Sequence, residues 1–184
     1  MRPGLRRLVD MMEGVPACVI GRRTDLLAWN DLADALYGFS TMDPVYRNVT
    51  RHTFGYPGVR EFYQDWEGVA AETVAFLRLE AGQYPNDPRL AALIGELTMR
   101  SKDFARLWAK HPLQDKTHGS KTIVHPIVGE LDLAHETCVL PGDPARLLVA
   151  YTAAAGSPTA DRLRLLASWN APSEQKVLCR PSKG

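Results

Sequence analysis

The sequence is poor in cysteine and in long apolar runs. Its 184 residues include only Cys18, Cys138 and Cys179, an odd number spaced too widely for a disulfide scaffold, which favours a reducing cytoplasm. No run of about 18 apolar residues occurs, so a transmembrane helix is not predicted. The basic N-terminus is followed by Asp10 and Glu13 rather than by the apolar segment of a secretory signal.

The sequence also lacks an excess of charge of either sign. Lys and Arg number 22, Asp and Glu number 21, and the net charge is +1. The pI is about 7.8, whereas a domain that binds nucleic acid by itself usually has a pI above about 9. The length and the 45% hydrophobic content are those of one soluble globular domain. Any DNA contact would therefore come from a local patch or from a part outside this chain.

The motifs of common catalytic sites are missing. No Gly-x-Ser-x-Gly occurs, and the segment Gly55–Gly58 lacks both the lysine and the preceding strand of a phosphate-binding loop. Cys18 and Cys138 lie in apolar, strand-like segments, which predicts small buried side chains rather than nucleophiles. We therefore predict a protein that is not an enzyme and needs no cofactor.

Four histidines in one segment do not form a metal-binding pattern. Their spacings are 7, 7 and 10 residues, and seven residues along a strand place two side chains on opposite faces. No His-x-His or Cys-x-x-Cys accompanies them, so no metal site is predicted. The four are His111, His118, His125 and His135.

Hydrophobic periodicity predicts an α+β domain. The period is 3.6 before residue 117, except for a strand pair at 17–20 and 26–29, and it becomes 2 afterwards. Residues 38–60, rich in glycine and proline, are predicted to be irregular. The predicted helices are 5–13, one capped by Asn30 and ended by Gly38, 60–81, and three capped by Asp87, Ser101 and Ser157; the later strands are 121–125, 130–134, 137–140 and 146–152.

This order predicts an antiparallel sheet of about five strands with inserted helices covering one face. By analogy, such an arrangement encloses a pocket in the manner of PAS sensor domains. Residues 61–96 are mainly acidic and residues 100–121 mainly basic. These segments are solvated helix faces that attract each other or a rim that attracts an anionic head group, and the pattern leaves both readings open.

Several segments together resemble the MmyB-like transcription regulator ligand-binding domain. The resemblance covers about residues 5–168, and the order and spacing of the segments carry it. They include Leu5–Asp10, Pro16–Arg23, Leu27–Asn30, Asp65–Glu67, Leu77-Arg78, Glu80–Gly82, Asp87–Leu90, Leu107–His111, His125–Leu133, Glu136, Leu140–Pro144, Tyr151–Ala153, Gly156–Pro158 and Leu163–Leu166.

The resemblance implies a bacterial, cytoplasmic regulator in which a PAS-like sensor follows a helix-turn-helix DNA reader. Residues 1–14 are then expected to be the connector helix after that absent reader, residues 15–170 the sensor, and residues 171–184 a frayed tail. The implied ligand is small, hydrophobic and fatty-acid-like.

Aromatic side chains are the candidates for the pocket walls. Trp66, Trp108 and Phe104 lie on predicted helical stripes, where they are core residues or line a cavity. Trp29 is expected to close one end, and His111 or Arg78 to meet a carboxylate. The alternative function is a PAS-like dimerisation or protein-interaction module that binds no small ligand; a homodimer is expected in either case.

Overall fold

The computed structural model describes residues 1–110, 118–140 and 142–170. His111 and the predicted tail 171–184 lie outside these residues. The helices and strands are α1 (Pro3–Asp10), β1 (Ala17–Gly21), β2 (Leu26–Trp29), α2 (Asp31–Tyr37), a 3-10 turn (Pro44–Tyr46), α3 (Val49–Gly55), α4 (Val59–Phe62), α5 (Trp66–Gln83), α6 (Pro88–Arg100), α7 (Lys102–Ala109), β3 (His118–His125), β4 (Gly129–Leu140), β5 (Asp143–Thr152) and α8 (Pro158–Asn170).

The five strands form one antiparallel sheet in the order β2-β1-β5-β4-β3. The predicted hairpin is the β1–β2 pair, and β5 pairs with both β1 and β4. The α+β class and the five-stranded, PAS-like sheet with helices around it are therefore confirmed. Sheet and helices together bring residues that are distant in the sequence into one core.

Strand alternation gives the sheet two apolar faces of different size. Cys18 and Ile20 of β1 point into the main core beneath the inserted helices. Ala17 and Val19, between them in sequence, join Leu5 and other residues of α1 in a second cluster on the opposite face. The inserted helices thus cover one face, whereas α1 packs on the other.

Predictions for two helical regions are wrong in extent, and the predicted strands 130–134 and 137–140 are one strand, β4. The segment 38–60, predicted to be irregular, contains α3, whose N-cap Asn48 accepts a hydrogen bond from the Arg51 amide at 3.0 Å. The buried residues of α3 are polar, so this helix has no apolar stripe that the sequence pattern can reveal. The predicted helix 60–81 is two helices, because Tyr63 forms a β-bridge with Ile123 and Asp65 caps a new helix.

The capping predictions are confirmed. Asn30, Asp87 and Ser101 each accept a backbone hydrogen bond at the start of α2, α6 and α7. Gly38 ends α2 at φ +70°, a conformation that glycine adopts without steric cost.

The two described cysteines differ in burial. Cys18 is buried, as predicted, but Cys138 is exposed, so the prediction for Cys138 is wrong. Its register partner is Leu148, on the face of the sheet where α1 packs. The short helix α1 covers only part of that face and leaves Cys138 in solvent.

Candidate functional site

A cavity of about 140 Å³ lies between α5 and the face of the sheet that carries the main core. Helix α5 contributes residues three and four positions apart, which share one helical face. The sheet contributes the inward residues of β1, β3, β4 and β5. The described lining residues are Cys18, Ile20, Thr24, Val49, Val69, Glu72, Thr73, Ala75, Phe76, Leu79, Lys121, His135, Thr137, Val149 and Tyr151.

Lys121 brings a cationic group into this largely apolar space. It stands opposite Leu133 in the β3–β4 register, two residues before the fully buried Ile123. Its ammonium lies 5.3 Å from the ring centroid of Tyr151 and 5.9 Å from that of Tyr63. Burial lowers the pKa of Lys121, and the negative charge of Glu72 opposes this effect. The site therefore holds an ammonium stabilised by a carboxylate and two aromatic faces.

Three tyrosine hydroxyls and one cysteine thiol of the main core are protonated near neutral pH. Burial raises the pKa of the Tyr37, Tyr63 and Tyr151 hydroxyls, and it raises that of the Cys18 thiol to about 12. Of these three tyrosines, Tyr151 lines the cavity, where its hydroxyl can donate a hydrogen bond. Because a protonated thiol is a poor nucleophile, the surroundings of Cys18 favour binding over covalent chemistry.

Close packing at Gly119 shapes the polar end of the cavity. A Cβ atom there would lie 2.8 Å from Cε1 of His135 and 3.5 Å from Oε1 of Glu72. Gly119 is the register partner of His135. The absence of a side chain at Gly119 therefore lets the imidazole and the carboxylate approach the strand.

His52 is a buried histidine of α3, and its protonation should affect the stability of the protein. Its ring stacks on Tyr56 at a centroid distance of 4.9 Å. Burial, followed by the charge of Lys121, lowers the pKa of His52 from 6.5 to about 4. Between these values the unfolded state binds the proton more readily, so stability should fall as the pH falls from 6.5 to 4. At pH 5 we expect the loss attributable to His52 to be about 2 kcal/mol.

Urea unfolding from pH 8 to pH 5 measures this effect. H52F keeps an aromatic ring in place and should flatten the pH dependence relative to the unmodified protein. H118F is the matched control, because His118 is exposed. Equal pH dependence in all three proteins would contradict the assignment to His52.

Four of the sequence-predicted site residues lie together in an aromatic cluster formed by α3, α5 and α7. The Phe104 ring stacks on Trp108 at 5.6 Å and meets Phe54 edge-on at 5.1 Å. Trp66 packs against Phe54 at 5.9 Å, and its indole nitrogen donates to the Thr53 carbonyl at 2.9 Å. The fourth residue is Arg78. These four residues are not among the described residues that line the cavity.

Arg78 and Trp29 occupy different surroundings. The Arg78 guanidinium lies 4.4 Å from the Trp108 ring centroid, and its Nε and one terminal nitrogen are buried without a hydrogen-bond partner among the described residues. Trp29 packs on Phe39 at 5.4 Å, away from that cluster. Ligand contact at these residues and at His111, which lies outside the described residues, stays a prediction.

Sequence reasoning missed Lys121 and Glu72. It assigned Lys121 to the basic region 100–121, yet strand alternation places Lys121 on the same face as Ile123 and His125, both buried. That alternation was the available signal. For Glu72 there was none, because its role depends on the contact between α5 and β3.

The described residues contain neither a metal-binding group nor a membrane-spanning helix. In residues 1–110, 118–140 and 142–170, no group of three or more His, Cys, Asp or Glu side chains could hold a metal ion. Within the same ranges, no helix combines the length and the apolar character needed to cross a bilayer.

Comparison with known proteins identifies one family. The family model described as MmyB-like transcription regulator ligand binding domain matches residues 1–166. Among curated proteins, none matches the chain. The family match covers most of the chain, including α1 and all five strands.

Proposed function

This chain belongs to the MmyB-like transcription regulator ligand-binding domain family, and on that premise we propose that it senses a small hydrophobic, fatty-acid-like ligand in the cavity between α5 and the sheet. The regulator is cytoplasmic and bacterial and contacts DNA only through a helix-turn-helix domain outside this chain. The observation that carries the proposal is a half-open cavity of about 140 Å³ with mainly apolar walls and a polar end.

The size of the cavity indicates the length of the ligand. An apolar cavity of about 150 Å³ accepts a benzene molecule. The present cavity therefore has room for roughly six carbon atoms without repacking. A medium-length alkyl chain fits this space, and the polar end leaves hydrogen-bonding groups for its head.

The strands β1 and β5 provide a route from the ligand to the connector helix. Cys18 and Val149 line the cavity on one face of these strands. On the opposite face, Val19 and Leu148 contact the cluster that contains α1. A ligand that shifts β1 or β5 would therefore change how α1 packs on the sheet. Through α1 it would change the position of the DNA reader.

Filling the cavity tests the proposed ligand site. A75L adds bulk to a buried lining residue, whereas A91L adds the same bulk to an exposed position on α6. We expect octanoate to bind the unmodified protein and A91L equally and A75L at least about ten-fold more weakly, as measured by calorimetry. Organic extraction of the purified protein, followed by mass spectrometry, should release an alkyl compound. Equal octanoate affinity in all three proteins would refute the cavity as the site.

An interaction module without a small ligand is the second candidate function. The observation that favours it is the exposed apolar surface of α1 and its C-cap, where Leu8 is 51% and Met11 is 79% exposed. The proposed homodimer would use the same surface. The octanoate measurement separates the two candidates, and sedimentation of the double variant L8E/M11E, compared with the unmodified protein, tests whether the dimer uses this surface.

A further inference from the structure

We propose that Lys121 recognises an anionic head group on the ligand, and that Glu72 occupies Lys121 in its place while the cavity is empty. The inference rests on the proposed function, because it concerns the polar end of the same site. The ligand class is an anionic amphiphile, and the ligand enters through the space beside Glu72 and Lys121.

Glu72 and Lys121 lie where two spaces in the protein meet. Glu72 and Lys121 line the cavity and also a smaller groove of about 60 Å³. The other groove residues belong to the start of α5 and to β3; they include Asp65, Gly68, Ser120 and Thr122. The Glu72–Lys121 pair therefore stands between the two spaces, where an amphiphile entering tail first leaves its head.

The surroundings of Lys121 favour an anionic partner for its ammonium. Its ammonium lies 5.9 Å and 5.3 Å from the ring centroids of Tyr63 and Tyr151, burial lowers the pKa of Lys121, and the residue as a whole is half-buried. An ammonium without a partner among aromatic rings is unfavourable, so a neighbouring anion favours the charged form of Lys121. Among the described residues that line the cavity, Glu72 is the one carboxylate. A ligand that displaces Glu72 therefore binds best when it supplies a negative charge itself.

Glu72 and Lys121 differ in how well water can solvate each of them once they separate. Glu72 lies on α5, is half-buried and borders the groove, so water can solvate its carboxylate once it is displaced. Lys121 is held in the β3–β4 ladder opposite Leu133, with its ammonium among aromatic rings. Replacing Glu72 by a ligand anion beside Lys121 therefore costs less free energy than replacing Lys121 by a ligand cation beside Glu72.

The apolar face of α5 beyond Glu72 can hold the alkyl tail of the ligand. Phe76 and Leu79 follow Glu72 along α5 and line the cavity on the same side of the helix. Seven residues of helix separate Glu72 from Leu79, which corresponds to about 10 Å, roughly the length of an extended eight-carbon chain. A head at Lys121 thus leaves an alkyl tail of this length along the apolar wall.

Three probes with the same tail test the head group: octanoate, octan-1-ol and octylammonium. Calorimetry with the unmodified protein should show octanoate binding about ten-fold or more tightly than either of the others. K121M, which keeps the length of the side chain without its charge, should abolish that preference. E72Q should instead strengthen octanoate binding, because the competing anion is gone. E67Q is the control, since Glu67 is on α5 outside the lining and pairs with Arg106.

A second measurement keeps the test independent of small changes in affinity. NMR of octanoate labelled with ¹³C at the carboxyl group should report a lower carboxyl pKa when it is bound to the unmodified protein than when it is bound to K121M. The inference is overturned if octylammonium binds most tightly, if K121M keeps the preference for octanoate, or if E72Q weakens octanoate binding. If none of the three probes binds the unmodified protein, the proposed function itself fails, and the head-group assignment fails with it.

Discussion

Replacing Asn30 with aspartate should lower the free energy of unfolding by about 3 to 5 kcal/mol. The Asn30 amide nitrogen donates to the carbonyl oxygens of Met12 and Val15, both at 2.7 Å. Its oxygen accepts from the amides of Ala17 at 3.1 Å and Ala33 at 2.9 Å. Aspartate keeps the acceptor but places a carboxylate oxygen against two carbonyls in a site where Asn30 is only 3% exposed.

Urea unfolding at neutral pH measures the effect of N30D. Asn86, which is exposed in the turn before α6, provides the control N86D, with an expected change within about 0.5 kcal/mol. Because two of the four bonds hold the segment after α1, N30D should also speed tryptic cleavage at Arg6 and Arg7. Unchanged stability and unchanged cleavage in N30D would show that this network does not hold the connector.

Phe104→Ala should also lower the free energy of unfolding by about 3 to 5 kcal/mol. The side chain is fully buried, at 0% exposure, between the rings of Phe54 and Trp108. Its removal forfeits the transfer free energy of the ring and leaves a cavity that the rigid cluster cannot fill. F104L should lose less, because leucine fills part of the space.

Thermal and urea unfolding measure the effect of F104A. W169A is its control, because Trp169 is 62% exposed on α8 and its loss should change stability by no more than about 0.5 kcal/mol. The conservative variant F104L also separates the two roles predicted for this aromatic cluster. If F104L is folded and binds octanoate as the unmodified protein does, Phe104 is a core residue and not part of the ligand wall.

Local signals predicted the ends of elements better than their continuity. Asp87 followed by Pro88 marked the start of α6, and Ser101 marked the start of α7, because caps and prolines act through neighbouring backbone groups. The division between α4 and α5 was not predicted. It arises where Gln64 donates to the Thr122 carbonyl at 3.0 Å, a contact between segments far apart in the sequence.

The charge pattern shows the same division between local and tertiary information. The acidic and basic helical segments meet at one exposed ion pair, in which Arg106 lies 3.1 Å from Glu67. Lys121, at the end of the basic segment, takes a different role. Its position in β3 turns it inward, towards Tyr63 and Tyr151. Charge counted along the chain cannot distinguish these two outcomes.

Periodicity, capping and the order of short segments were enough to predict the α+β class, the strand pair, most helix starts and the family. The place of the cavity and the charges that enter it follow instead from contacts between distant segments. The packing of α5 on the sheet brings Glu72 and Lys121, 49 positions apart in the numbering, to one wall of the cavity. Such a meeting depends on register and on contacts across the fold, and no local pattern records either.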